Sequence, residues 1–80
     1  MRTSPRPVVR SIEDRFGERC VDLITRGDGR VTFRECRRDV EDGGRWTIVG
    51  DYSDMSFATI DEAIAAAVAH VAWLGDAVAV

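Results

Sequence analysis

The sequence predicts an α+β domain: a three-stranded antiparallel sheet packed against one C-terminal amphipathic helix. Three observations carry this reading. Residues 59–74, TIDEAIAAAVAHVAWL, combine a capping signature with helical spacing of their apolar positions. Residues 20–36 hold two β-rich segments around a Gly27-Asp28-Gly29 turn. A third β-rich segment, residues 45–50, follows a Gly43-Gly44 pair.

The helix is the element around which the chain is organised. Thr59 and Glu62 stand three apart as a capping box, in which the hydroxyl accepts from the Glu62 N–H and the carboxylate reaches back to the Thr59 N–H. Asp61 and Glu62 place negative charge at the positive end of the helix dipole. The alanines Ala63, Ala65, Ala66, Ala67, Ala69 and Ala72 favour helix, and Gly75 supplies a stop. Ile60, Ile64, Ala67, Val68, Val71 and Leu74 form the stripe expected to be buried. Glu62, Ala66, Ala69 and Trp73 form the opposite stripe. Trp73 then has two readings: a side chain covered by the N-terminal segment, or an anchor for a partner, since Trp is enriched among binding hot spots.

Eighty residues give one domain with a small core, and 45% hydrophobic content argues against general disorder. No run of about 18 apolar residues is present, so no membrane span is expected. Arg2 and Arg6 are not followed by an apolar segment of the secretory kind, and the expected location is cytoplasmic. Two cysteines, Cys20 and Cys36, are too few for a disulfide scaffold. With the single His70 they would need a carboxylate to complete a four-ligand zinc site, and no metal or cofactor is expected. The net charge of −3 is unevenly spread: residues 1–38 hold ten arginines and six acids, residues 39–80 one arginine and eight acids.

In chain order, residues 1–10 read as a flexible basic arm, residues 11–75 as the domain and residues 76–80 as a tail. Residues 11–16, with Ser11 as cap, suit a short helical turn. Residues 12–25 admit one continuous helix through Ile12, Phe16, Cys20 and Leu23, but the hairpin signature is the preferred reading. A two-residue Asp28-Gly29 loop would set Leu23 opposite Arg34. A three-residue loop, with Gly29 in the left-handed position, sets Leu23 opposite Phe33 and Thr25 opposite Val31, gathering the apolar residues on one face. The other face then holds Asp22 opposite Arg34 and Cys20 opposite Cys36, a spacing plausible for a bridge, although a reducing compartment favours thiols. Residues 37–45 form a charged connection. In the third strand Trp46 and Ile48 are expected to face the helix, and residues 51–54 form a loop.

No Ser/His/Asp or Cys/His set has a reason to converge, no glycine pair opens a helix as a phosphate loop, and the chain is read as non-enzymatic. Two charged sets remain. Arg30, Arg34, Arg37 and Arg38, on or beside one strand, suit phosphate contact, but a sequence pI near 5.0 opposes nonspecific affinity. Asp39, Glu41, Asp42, Asp51 and Asp54 come from the connections at either end of the third strand and suit a basic partner surface.

Residues 16–74, with Asp28-Gly29, Arg37-Arg38-Asp39, Glu41-Asp42, Trp46 and Trp73-Leu74, resemble small bacterial proteins with a DG hairpin and a helix ending in WL, a likeness that implies no particular activity. In character the chain also resembles the anti-CRISPR proteins, which are tiny, acidic, single-domain and without catalytic residues. That resemblance implies a protein-binding inhibitor that docks on a type I CRISPR effector complex and blocks target DNA. Asp39, Glu41, Asp42, Asp51, Asp54 and Trp73 are the expected partner contacts. The alternative is a nucleic-acid-binding regulatory module using Arg30, Arg34, Arg37 and Arg38.

Overall fold

The computed structural model describes residues 8–39, 41 and 43–78. Strands β1 (Val8–Glu13), β2 (Arg19–Thr25), β3 (Val31–Arg38) and β4 (Trp46–Asp51) precede helices α1 (Ile60–His70) and α2 (Leu74–Val78). The strands form one antiparallel meander in the order β1-β2-β3-β4. The α+β class is as expected, but the sheet has four strands rather than three, and a pair of helices follows it rather than a single one.

The additional strand takes the place of the expected helical turn at residues 11–16 and of the end of the expected basic arm. Val8, Val9 and Ile12 are β-branched, and Val8 and Ile12 pair with β2, with Val9 at an irregularity between Val8 and Arg10. Ile12 lies opposite Val21 and is the buried residue of β1. The rest of the arm, residues 1–7, lies outside the described residues, as do residues 79 and 80 of the expected tail; residues 76–78 belong to α2.

Residues 14–18 join β1 to β2 as a turn organised by Asp14. Its Oδ1 accepts from the N–H groups of Glu18 at 3.0 Å and Arg19 at 3.3 Å. Slight desolvation raises the Asp14 pKa, but the N–H donors of Glu18, Arg19, Phe16 and Gly17 together hold it below its ordinary 3.8. A carboxyl depressed in this way stabilises the fold above its unfolded value and ceases to do so as pH falls through the lower, folded value. Asp14→Ala is therefore expected to lower the melting temperature by a few degrees at neutral pH, about what loss of one capping side chain costs. The deficit should shrink once the pH falls below 3.8. Thermal melts of both proteins at neutral pH and near pH 2.5 check this; an equal deficit at both would remove the carboxylate from the account.

The β2–β3 hairpin has the expected three-residue loop. Arg26 N–H donates to the Arg30 carbonyl at 2.7 Å, Gly29 N–H donates to the Arg26 carbonyl at 3.0 Å, and Gly29 has φ +84°. Glycine takes that conformation without steric cost, which is why the loop closes there. Leu23 lies opposite Phe33, Thr25 opposite Val31, Asp22 opposite Arg34 and Cys20 opposite Cys36, each as the alternation predicts. The continuous helix over residues 12–25 is excluded.

Strand β4 corrects the expected orientation of Trp46 and Ile48. Beyond the Glu35–Gly50 pair, an unbroken ladder would bring Ile48 opposite Arg37, on the helix side. A bulge between Glu35 and Cys36 instead pairs Ile48 with Cys36 and Trp46 with Arg38. One residue of slip reverses the face of every side chain beyond it. Both residues thus lie on the face away from the helices, with the Arg38 guanidinium 5.1 Å from the Trp46 ring centroid. Past β4, Phe57 takes over the edge of β3, exchanging both backbone hydrogen bonds with Val31 at 2.8 Å.

Thr59 caps α1 as expected, its hydroxyl accepting from Glu62 N–H at 3.1 Å, while the Glu62 carboxylate accepts from Ala58 N–H at 3.2 Å, one residue earlier than the capping box predicts. The helix ends at His70 rather than Leu74, because Val71 is extended (φ −115°, ψ 106°). Leu74 opens α2, so Gly75 lies inside a second helix instead of ending the first. The break lets Val71 and Leu74 both enter the core and lets α2 pack on β1 while α1 packs on β2 and β3.

The core joins Ile12, Val21, Leu23, Val31 and Phe33 of the sheet to Ala63, Ala67, Val71 and Leu74 of the helices. The buried stripe of α1 is thus centred on Ala63 and Ala67; Ile64 and Val68 are half-buried and Ile60 is exposed, a rotation from the expected stripe. Alanines at the contact let the helix approach the sheet closely and leave the volume to Phe33. Tyr52 stacks on Phe33 with ring centroids 4.6 Å apart.

Candidate protein-binding surface

Strand β4 is the edge of the sheet, hydrogen-bonded to β3 on one side. Ile48 and Val49, successive residues at the bulge, are 53% and 55% exposed. The sequence reading places Ile48 in the core and passes over Val49; the one local signal for the bulge that turns the strand is Gly50, a glycine inside the β-rich segment.

The expected acidic contacts frame this strand. Glu41 is exposed and its N–H donates to Asp39 Oδ1 at 2.9 Å, with Asp39 half-buried. Asp51 closes β4, is exposed, and its Oδ1 accepts from Ser53 N–H at 3.0 Å; exposed Asp54 follows. Asp42 lies outside the described residues. The acids accordingly fall into two groups, one before β4 and one after it, with the exposed aliphatic pair between them. Trp73 is not on this surface. It is half-buried, and its Nε1 donates to Glu35 Oε2 at 3.0 Å on the helix side of β3. It lines an open groove of about 890 Å³ whose other wall is residues 13–16, 18 and 19. The N-terminal region of the chain thus stands beside Trp73, and the exposed ring there is that of Phe16, below the Arg15 guanidinium.

The arginines proposed for phosphate contact are distributed differently. Arg30 donates to Ser56 Oγ at 2.7 Å and to the Ser56 carbonyl at 2.8 Å. Arg34 pairs with Asp22 Oδ2 at 3.4 Å, and Arg38 donates to the Gly17 carbonyl at 2.7 Å. Arg37 is exposed, and strand alternation sets it on the opposite face from Arg34 and Arg38.

The face of the sheet turned from the helices carries a buried polar row: Cys20, Asp22, Thr32 and Cys36. Asp22 Oδ1 accepts from Ser11 Oγ at 2.8 Å and from Cys20 Sγ at 3.8 Å, and Thr32 Oγ1 donates to the Tyr52 carbonyl at 2.8 Å. Among the described residues every buried side-chain nitrogen or oxygen has a hydrogen-bond partner. The burial of Asp22 was not legible in the sequence, although its register partner was. His70 lies on the helix side, its ring 5.4 Å from Tyr52, with the sheet between it and the cysteines.

Comparison of the chain with known protein families, with curated proteins and with solved structures finds no match. Among the described residues no helix is long and apolar enough to cross a membrane.

Proposed function

We propose that the protein is a non-catalytic protein-binding inhibitor, of the anti-CRISPR kind, that docks on a DNA-binding subunit of a type I CRISPR effector complex and blocks target DNA. The observation that carries this reading is β4: an edge strand with two large aliphatic side chains exposed and acids at both ends. Exposed edges are places where another chain adds by main-chain hydrogen bonds, and proteins that do not use them usually cover or charge them. Carboxylates on either side favour a basic partner, and a channel that holds DNA phosphates is such a surface. The alternative, a nucleic-acid-binding module, draws less support, since Arg30, Arg34 and Arg38 are engaged within the fold and Arg37 faces away from the last two.

Calorimetric titration against purified type I effector subunits tests the proposal, together with a direct DNA-binding assay. Reversal of Glu41, Asp51 and Asp54 to Arg is expected to weaken effector binding about tenfold or more, equivalent to roughly 1.4 kcal/mol, with little change in melting temperature. Ile48→Asp should weaken it comparably. Substitution of Arg37 should matter less. Absence of effector binding, with DNA binding that the arginine substitutions abolish, would overturn the proposal in favour of the alternative.

A further inference from the structure

We propose that Cys20, Asp22 and Cys36 form a zinc-binding site on the face of the sheet turned from the helices. Their ligand atoms, two Sγ and a carboxylate oxygen, all lie within 4.8 Å of one another, and all three residues are buried. A tetrahedral zinc ion, with Zn–S near 2.3 Å, holds two sulfurs about 3.8 Å apart, so the two sulfurs need to approach by no more than about 1 Å.

The alternative use of two adjacent cysteines, a disulfide, fits the hydrogen-bond phase of the hairpin poorly. Arg38 N–H donates to the Glu18 carbonyl and Arg26 N–H to the Arg30 carbonyl, so 18/38 and 26/30 are hydrogen-bonded pairs. The β2–β3 ladder runs between them without a bulge, and pairs alternate, which makes Cys20–Cys36 a hydrogen-bonded pair as well. Side chains at such pairs stand farther apart than at the other kind, while a relaxed disulfide needs Cβ atoms about 3.8 Å apart. The two strands thus keep these sulfurs near each other without closing the bond, and none joins them. A bridging ion suits that spacing.

The surrounding groups are arranged for a ligating carboxylate. Arg34 Nε approaches Asp22 Oδ2, whereas Oδ1 is the oxygen that takes Ser11 Oγ and Cys20 Sγ. A metal on Oδ1 therefore leaves the guanidinium in place as an outer partner, the arrangement that orients ligands at metal sites generally. On loading, each thiol loses its proton to solvent, two Zn–S bonds and one Zn–O bond form, and no electron changes hands. Ser11 is exposed while its hydroxyl touches Asp22, so solvent stands one hydrogen bond from the cluster on that side, and a water there supplies the fourth ligand.

The test is titration of the full chain, reduced and metal-free, with Co²⁺ and then Zn²⁺. One equivalent of Co²⁺ should give near-ultraviolet thiolate charge-transfer absorption and the visible bands of tetrahedral cobalt, which Zn²⁺ then bleaches. Zinc at a hundredfold excess over its Kd should raise the melting temperature by about 10 °C or more. Cys20→Ser and Cys36→Ser should each weaken binding about a hundredfold and diminish the charge-transfer band; Asp22→Asn should keep the band and weaken binding about tenfold. Should a cysteine variant fail to fold, zinc protection of both thiols from alkylation in the unaltered protein serves instead. Folded protein with no cobalt–thiolate band at about millimolar metal, or zinc that leaves thiol reactivity unchanged, would overturn the proposal.

Discussion

Phe33→Ala is expected to unfold most of the molecules at 25 °C. The ring is fully buried, stacked on Tyr52 at 4.6 Å and facing Phe57 at 6.3 Å, and it fills the space that the small residues Ala63 and Ala67 leave beneath α1. Truncating a buried Phe costs about 3–5 kcal/mol, because the transfer term is joined by a cavity the surroundings cannot close. Domains at the lower end of the size range rarely hold more than about 3–5 kcal/mol in all. Leu23→Asp, at the cross-strand neighbour of Phe33, should be as damaging by burying an unpaired charge. Ile64→Asp looked equivalent in the sequence, but Ile64 is half-buried, so its carboxylate can reach water and the cost should fall to about 1–2 kcal/mol. Urea denaturation of the three variants orders them. A Phe33→Ala midpoint near that of the unaltered protein would show that the aromatic group is not the centre of the core.

What the sequence made legible is what parity and turn chemistry determine locally. Gly29 at the left-handed position and the alternation of Val21, Leu23, Val31 and Phe33 admit one register, and the four expected pairs of β2 with β3 occur. The Thr59 cap is local in the same sense. Strand β1 was hidden because two prolines and alternating arginines around Val8 resemble a solvated arm, and only pairing with β2 makes those residues a strand. The bulge in β4 lies next to Gly50, a glycine inside a strand pattern that marks a bulge without fixing which residue slips, and it alone turns Trp46 and Ile48 from the core. Nothing in the alanine-rich run marks Val71 as a break; the packing of Leu74 and of α2 on β1 does. For the surface, the placement of Glu41, Asp51 and Asp54 about the ends of β4 followed from topology. The exposed pair Ile48 and Val49 depends on the bulge, for which Gly50 is the local mark.

Asp22→Ala should be the most costly substitution outside the apolar core, measured with chelator present so that bound metal plays no role. Asp22 is fully buried and serves several donors at once: Ser11 Oγ, Cys20 Sγ and Arg34 Nε. Removing it strands a guanidinium whose side chain is 16% exposed and deprives Ser11 of its acceptor. Breaking a buried pair costs about 3–5 kcal/mol, and because Arg34 retains a path to water the lower end, about 3 kcal/mol, is expected here. Arg34→Ala should cost less, since the carboxylate keeps the Ser11 and Cys20 donors. Asp22→Asn, which preserves size and an accepting oxygen, should fall between the unaltered protein and Asp22→Ala. The double variant decides whether the pair acts as a unit: a coupling energy of about 1 kcal/mol or more is expected from a contact within this network. Simple additivity, or an Arg34→Ala cost equal to that of Asp22→Ala, would mean that Asp22 is not the node that holds β1, β2 and β3 together on this face.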